Sequence, residues 1–162
     1  MSAQILNKVV ISLGSNIEPQ QNICQAIQAI QKQCKVKRVS SAWETRSEGA
    51  KGPNFFNAAL LLETPLHLGE LKRTILKPIE NEMARVRTAD KNAPRTIDLD
   101  IIVFNGDVVD QNVWERVFVA VPLAEILPEL VHPETKETLS EVALRLKKRS
   151  FAIRRPDICL PK

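Results

Sequence analysis

The spacing of apolar residues along this 162-residue chain predicts an α+β fold, one sheet carrying helices, from three observations. In several segments bounded by Gly, Pro or Asn, apolar residues recur at every second position, the period of a strand with one buried face. In two segments between them the recurrence is every third or fourth position, the period of a helix. The third observation is the stretch Ala93–Gly106, A-P-R-T-I-D-L-D-I-I-V-F-N-G, which sets two acids, Asp98 and Asp100, into an otherwise apolar strand.

Lys8 to Leu13 alternates loosely and meets Gly14, which predicts a strand running into a turn. Ile23, Ala26, Ile27 and Ile30 then mark one face of a helix that starts at Glu18-Pro19. Val36 to Trp43 predicts a second strand, and Phe56, Ala58, Leu60 and Leu62 one face of a third, ended by Thr64-Pro65. Leu68, Leu71, Ile75, Ile79 and Met83 repeat at helical spacing, with a kink expected where Pro78 removes a donor and crowds Thr74. The two-aspartate strand follows, its Ile97, Leu99, Ile101 and Val103 expected on the face opposite the acids. Val117 to Val121 predicts an added strand, Leu123 to Leu127 a short turn of helix, Ser140 to Lys148 a terminal helix, and Phe151 onward an irregular tail. Strand, helix, strand, strand, helix, strand is the ferredoxin-like plan of a split β-α-β unit, one sheet with two helices on one face. The added strand and helix extend it, and residues 1–162 are expected to form a single domain.

Charged residues make up 26% and hydrophobic ones 44%, an ordinary balance with no apolar run of membrane-spanning length. The opening M-S-A-Q-I-L-N-K lacks the apolar centre of a signal peptide, so a cytoplasmic location without membrane partners is expected. Cys24, Cys34 and Cys159 are odd in number without C-x-x-C spacing, which predicts reduced thiols rather than a disulfide framework or zinc site. A net charge of +4 favours anionic partners, nucleotide phosphates or nucleic acid.

Asp98 and Asp100 share a strand face, where two ionised acids repel unless cations lie between them. Arg85, Arg87, Lys91 and Arg95 precede the strand. Carboxylates that hold Mg²⁺ and arginines that fork onto phosphate together suggest phosphoryl or pyrophosphoryl transfer. An Asp pair at a strand end beside a solvated basic helix end is the plain alternative.

The same stretch resembles the signature of the 6-hydroxymethyl-7,8-dihydropterin pyrophosphokinase family, whose members move the β,γ-diphosphate of ATP onto a pterin alcohol in folate biosynthesis. The resemblance extends to V-I-S-L-G-S-N at Val10 to Asn16, N-F-F-N-A-A at Asn54 to Ala59, E-x-x-x-x-R-x-R from Glu80 to Arg87, and R-V-F-V-A-V-P-L-A-E-I at Arg116 to Ile126. It implies an ATP-dependent diphosphotransferase that forms the pterin diphosphate and AMP. By the same resemblance the pterin contacts are Gly14, Thr45, Phe55, Asn57 and Phe118, with the Phe rings stacking on the ligand and Asn57 reading its edge. The nucleotide contacts it implies are Glu80, Arg85, Arg87, Arg95, Ile101 and Arg116. Asp98 and Asp100 become ligands of two Mg²⁺ ions, and Arg85, Arg95, Asp98 and Asp100 the catalytic set. ATP and 6-hydroxymethyl-7,8-dihydropterin, or a related pterin, are the expected partners of a monomer. Each residue also has a plainer role open to it: a turn at Gly14, core packing at the Phe rings, solvated charge at the arginines.

Two departures from the family pattern stand out. The loop after Trp43 reads W-E-T-R-S-E-G, where family members commonly carry prolines. Only V-V-D-Q-N-V-W-E, Val108 to Glu115, bridges from the N-G turn to Arg116, without the V-P-H segment usual there. A divergent paralogue that binds pterin or nucleotide with weak, altered or no turnover is therefore a second reading. RNA binding is a third, disfavoured because no K/R-G-F/Y-G/A-F-V-x-F/Y string occurs and the two acids would face phosphate.

Overall fold

The computed structural model describes residues 4–47, 52–84 and 96–162. Strands β1 (Asn7–Ser15), β2 (Lys35–Val39), β3 (Trp43–Thr45), β4 (Phe55–Thr64), β5 (Asp98–Phe104), β6 (Asp107–Val108) and β7 (Ala152–Arg154) form one sheet. Its order is β6-β5-β1-β4-β3-β7, with β2 also on β4, and every pairing is antiparallel. The central β5-β1-β4 arrangement, flanked by the chain that follows the first helix, is the ferredoxin-like plan.

Alternation assigns the two faces of the sheet. Val9, Ile11 and Leu13 of β1 and Ala58, Leu60 and Leu62 of β4 pack with Ile23, Ala26, Ile27 and Ile30 of helix α1 (Pro19–Gln31). The same core takes Leu71, Ile75, Leu76 and Ile79 from a second helical run. That run is α2 (Leu68–Leu71), a π turn (Lys72–Leu76) and α3 (Lys77–Ala84). The Pro78 kink resolves into this π turn, in which the Lys77 N–H reaches the Lys72 carbonyl. Widening the helix by one residue per turn is a known way to carry a proline without breaking it.

The opposite face corrects the expected strand at Val117 to Val121. Those residues belong to helix α4 (Val117–Ile126), which lies between the sheet and α5 (Leu139–Arg149). Val117, Val119, Ala120, Val121, Leu123 and Ile126 are all buried there. A helix covered on most sides is apolar around most of its circumference, so its sequence shows no clear 3.6 period and its β-branched residues read as strand. Two helices on one face are thus joined by two on the other. The terminal helix begins at a capping box, in which the Thr138 hydroxyl accepts from Glu141 N–H while the Glu141 carboxylate accepts from Thr138 N–H.

Three further expectations change. Val36 to Trp43 is not one strand: it breaks at Ser40, whose hydroxyl takes over the bond from Ala59 N–H at 2.8 Å, leaving β2 and β3 on different stretches of β4. Val103 is not on the face of Leu99. A one-residue bulge in β5 pairs Val10 with Val103 but Ile11 with Ile101, which turns Val103 toward the α4 side. The tail after Phe151 is not irregular throughout, because Ala152–Arg154 forms β7 against β3. Among the described residues no helix is long and apolar enough to cross a membrane, and the three cysteines are free thiols.

Candidate active site

Where the α4 face of the sheet runs out beyond the first turn of that helix, the central strands are left uncovered. A cavity of about 260 Å³ opens there, lined by Ser12, Gly14, Thr45, Arg46, Ser47, Phe55, Asn57, Asp98, Asp100 and Phe118. Antiparallel register explains the convergence: Gly14 stands opposite Asn57 on one side and Asp98 on the other, and Ser12 opposite Asp100. Directly opposed residues share a face, so positions distant in sequence make one floor.

Asn57 and Thr45 form the polar centre of that floor. The Asn57 amide donates to the Thr45 hydroxyl at 2.8 Å, and both side chains are buried. Gly14 matters here for space and not for turn geometry, since a Cβ on it would stand 3.0 Å from Asn57 Oδ1. The Ser15 hydroxyl donates to the Thr96 carbonyl, tying the end of β1 to the chain entering β5. Phe55 reaches the cavity from β4, while Phe118 comes from α4 and not from a strand.

Asp98 is half-buried and Asp100 exposed; both line the cavity, as their shared parity requires. Asp100 also borders a neighbouring groove of about 310 Å³, together with Leu99, Ile101, Leu68 and Lys72. The two acids therefore stand at a junction between two openings. Glu80 of α3 senses them: burial pushes its carboxyl above the ordinary range, Lys77 opposes the shift, and Asp98 and Asp100 add to it. Among the described residues no cluster of three or more His, Cys, Asp or Glu is arranged to hold a metal ion. A pair of carboxylates suits a hard cation that takes one or two protein ligands and completes its shell with phosphate oxygens and water.

Of the residues singled out in the sequence, Gly14, Thr45, Phe55, Asn57, Phe118, Asp98 and Asp100 meet in the cavity, and Ile101 lines the adjoining groove. Arg116 is exposed at the N-cap of α4, two residues before Phe118. Arg85, Arg87, Lys91 and Arg95 lie outside the described residues. Sequence reasoning does not single out Ser12, although its parity with Gly14 on β1 places it on the same face. Arg46 and Ser47, which the sequence marks only as loop residues, line the same wall as Thr45.

Known proteins resemble this chain in sequence and in fold. The sequence model of the 7,8-dihydro-6-hydroxymethylpterin-pyrophosphokinase family matches residues 10–128. The 2-amino-4-hydroxy-6-hydroxymethyldihydropteridine pyrophosphokinase of Bacillus subtilis is 31% identical over 159 residues, covering 91% of this chain and 94% of the relative. Its counterpart in Synechocystis is 35% identical over 144 residues, 82% of this chain and 73% of the relative. The folic acid synthesis protein FOL1 of Dictyostelium discoideum is 35% identical over 150 residues, 86% of this chain, and the chain spans only 22% of that longer protein. Among solved structures, wild-type Plasmodium falciparum HPPK-DHPS shares the fold at a TM-score of 0.70 and 12% identity, over 92% of this chain and 46% of that one. With the family match over residues 10–128 and relatives at 31% and 35% identity over most of both chains, the chain belongs to the 7,8-dihydro-6-hydroxymethylpterin-pyrophosphokinase family.

Proposed function

We propose that this chain transfers the β,γ-diphosphate of ATP to the hydroxymethyl oxygen of 6-hydroxymethyl-7,8-dihydropterin, forming the pterin diphosphate and AMP. The observation that carries this reading is the cavity in which an amide–hydroxyl pair, two aromatic rings and two carboxylates meet. Asn57 and Thr45 offer donors and acceptors to the edge of a flat heterocycle, and Phe55 and Phe118 offer faces to its plane. Ile101 in the adjoining groove suits the adenine, which would carry the triphosphate past Asp100 toward the pterin. Glu80, Arg85, Arg87, Arg95 and Arg116 serve the nucleotide in this reading, the arginines by spreading phosphate charge. Two Mg²⁺ ions held by Asp98 and Asp100 would polarise the phosphates and offset their repulsion of the incoming oxygen. Neither histidine lines the cavity: His67 is the exposed N-cap of α2, and His132 packs on Trp114 with its Nδ1 accepting two backbone N–H groups. Positioning and electrostatics must therefore supply most of the rate. A cytoplasmic location belongs to the same reading, supported by cysteines that remain free thiols.

The short connection between β6 and α4 favours a second reading, binding with little turnover. It is a single 3₁₀ turn (Gln111–Trp114) with Val113 and Trp114 buried. Measuring AMP with ATP, Mg²⁺ and the pterin together and with each omitted tests both readings. AMP that requires all three supports diphosphotransfer. Binding of pterin and nucleotide without AMP supports the second reading, and no binding of either overturns both.

A further inference from the structure

The family match ends at residue 128, yet the chain beyond residue 150 builds the wall behind the pocket. β7 lies against β3, with Ala152 opposite Thr45 and Ile153 opposite Glu44. On its other side β3 meets β4, which sets Glu44 opposite Phe56 and Trp43 opposite Asn57. Alternation turns Thr45, Phe55 and Asn57 toward the cavity and Glu44 and Phe56 away from it.

Arg155 grips that rear pair. Its guanidinium donates to the Glu44 carboxylate at 2.6 Å and lies over the Phe56 ring, 5.1 Å from the centroid. Asp157 aims the group by accepting two bonds from it, at 2.9 and 2.7 Å, and the Arg155 backbone N–H donates to the Ala42 carbonyl at 2.9 Å. Just before β7, the Phe151 ring carries the Arg46 guanidinium at 5.0 Å. β3 is only three residues long and Thr45 is its last. A strand that short has few ladder bonds to resist fraying, so its end depends on what holds it from behind.

We propose that Arg155 is a positioning residue for the pterin pocket. Through Glu44 and Phe56 it fixes the end of β3 against β4, and with it the Thr45 hydroxyl and the Asn57 amide that face the heterocycle. The assignment of the ligand rests on the pyrophosphokinase reading; the coupling between Arg155 and Asn57 does not. An ammonium cannot reproduce a planar fork that bonds two carboxylates and covers a ring.

The experiment compares Arg155→Ala, Arg155→Lys, Glu44→Gln and the double variant Arg155→Ala/Glu44→Gln with the wild type. Arg145→Ala serves as control, since it removes another half-exposed ion pair, with Glu137, away from the pocket. Expected are a rise of about tenfold in KM for the pterin, roughly 1.4 kcal/mol, with kcat and KM for ATP within about twofold. Arg155→Lys should recover part of the loss, and the double variant should be no worse than either single one. Arg145→Ala should leave the pterin KM unchanged even if it lowers Tm. Nuclear magnetic resonance of the Asn57 side-chain amide supplies a readout that needs no turnover: its protons should shift and exchange faster in Arg155→Ala and stay unmoved in Arg145→Ala. A folded Arg155→Ala with wild-type pterin KM, or with an unchanged Asn57 amide, overturns the proposal. So does a parallel rise in both KM values with a falling kcat, which is global loosening. A wild type that makes no AMP while Arg155→Ala still perturbs the Asn57 amide would refute the functional reading and leave the coupling standing.

Discussion

The buried Asn57 amide donates to the buried Thr45 hydroxyl at 2.8 Å, a cross-strand pair diagonal to the β3–β4 register and directly beneath the cavity. Neither residue can change without leaving the other a polar group in an enclosed site, which typically costs about 1 to 3 kcal/mol. Asn57→Ala is therefore expected to weaken pterin binding by roughly tenfold or more, while ATP affinity changes much less. Titration calorimetry with each ligand checks this. Equal losses for both would assign Asn57 to folding alone.

Gly14 gives a sharper test of the same geometry. A Cβ at that position would meet Asn57 Oδ1 at 3.0 Å, so Gly14→Ala requires the hydrogen-bonded amide to give by a few tenths of an ångström. Expected is a loss of pterin affinity comparable to that of Asn57→Ala, with circular dichroism unchanged. The double variant should add little to either, because both act on one amide.

Asp98→Ala and Asp100→Ala are each expected to abolish AMP formation while leaving the fold intact, since the acids face a cavity and not a core. Turnover at the wild-type level in saturating Mg²⁺ by either variant would show that the acid concerned holds no metal.

Glu80 sets a dependence on pH. Burial holds its proton more tightly in the folded chain than in the unfolded one, with Asp98 and Asp100 reinforcing the effect against Lys77. Its ionisation therefore penalises folding, beginning as pH rises past the ordinary carboxylate pKa and reaching its full extent above the raised one. Glu80→Gln should raise the Tm of the metal-free protein by a few degrees at neutral pH. The gain should vanish in acid, below the ordinary carboxylate range. A gain that persisted there would point to packing and not to charge.

The short link before α4 predicts slow chemistry. A segment that closes over bound ATP excludes water and makes contacts realised mainly in the transition state. Inserting a family-length stretch with V-P-H between Val109 and Asp110 keeps the Asp110 cap on the 3₁₀ turn that carries the buried Val113 and Trp114. It should raise kcat about tenfold or more with smaller changes in ligand affinity, measured by AMP release under saturating substrates. An unchanged kcat would mean that closure is not what limits this chain.

Much of this site is legible in the sequence, because a period of two is enough to put Asp98 with Asp100, and to place Phe56, Ala58, Leu60 and Leu62 on one face and Asn57 on the other. Gly14 is legible as a position without a side chain, but its reason is not: the turn accounts for nothing there, and the nearby Asn57 oxygen accounts for the glycine. The capping box formed by Thr138 and Glu141 is a local signal as well, and it sets the start of α5.

What the sequence determined by itself is local: the periodic strands and helices, the proline that must disturb its helix, and residue types suited to phosphate and a flat heterocycle. Tertiary structure decided the rest. Val117 to Val121 became helix because α5 and the sheet cover it from both sides, and a mostly buried run does not encode its own period. A single bulge at Ile102 moved Val103 to the other face, and β7 exists only because β3 offers it an edge. Such pairings join residues about a hundred positions apart, as Arg155 joins Glu44. Their stability comes from partners that no window along the chain contains.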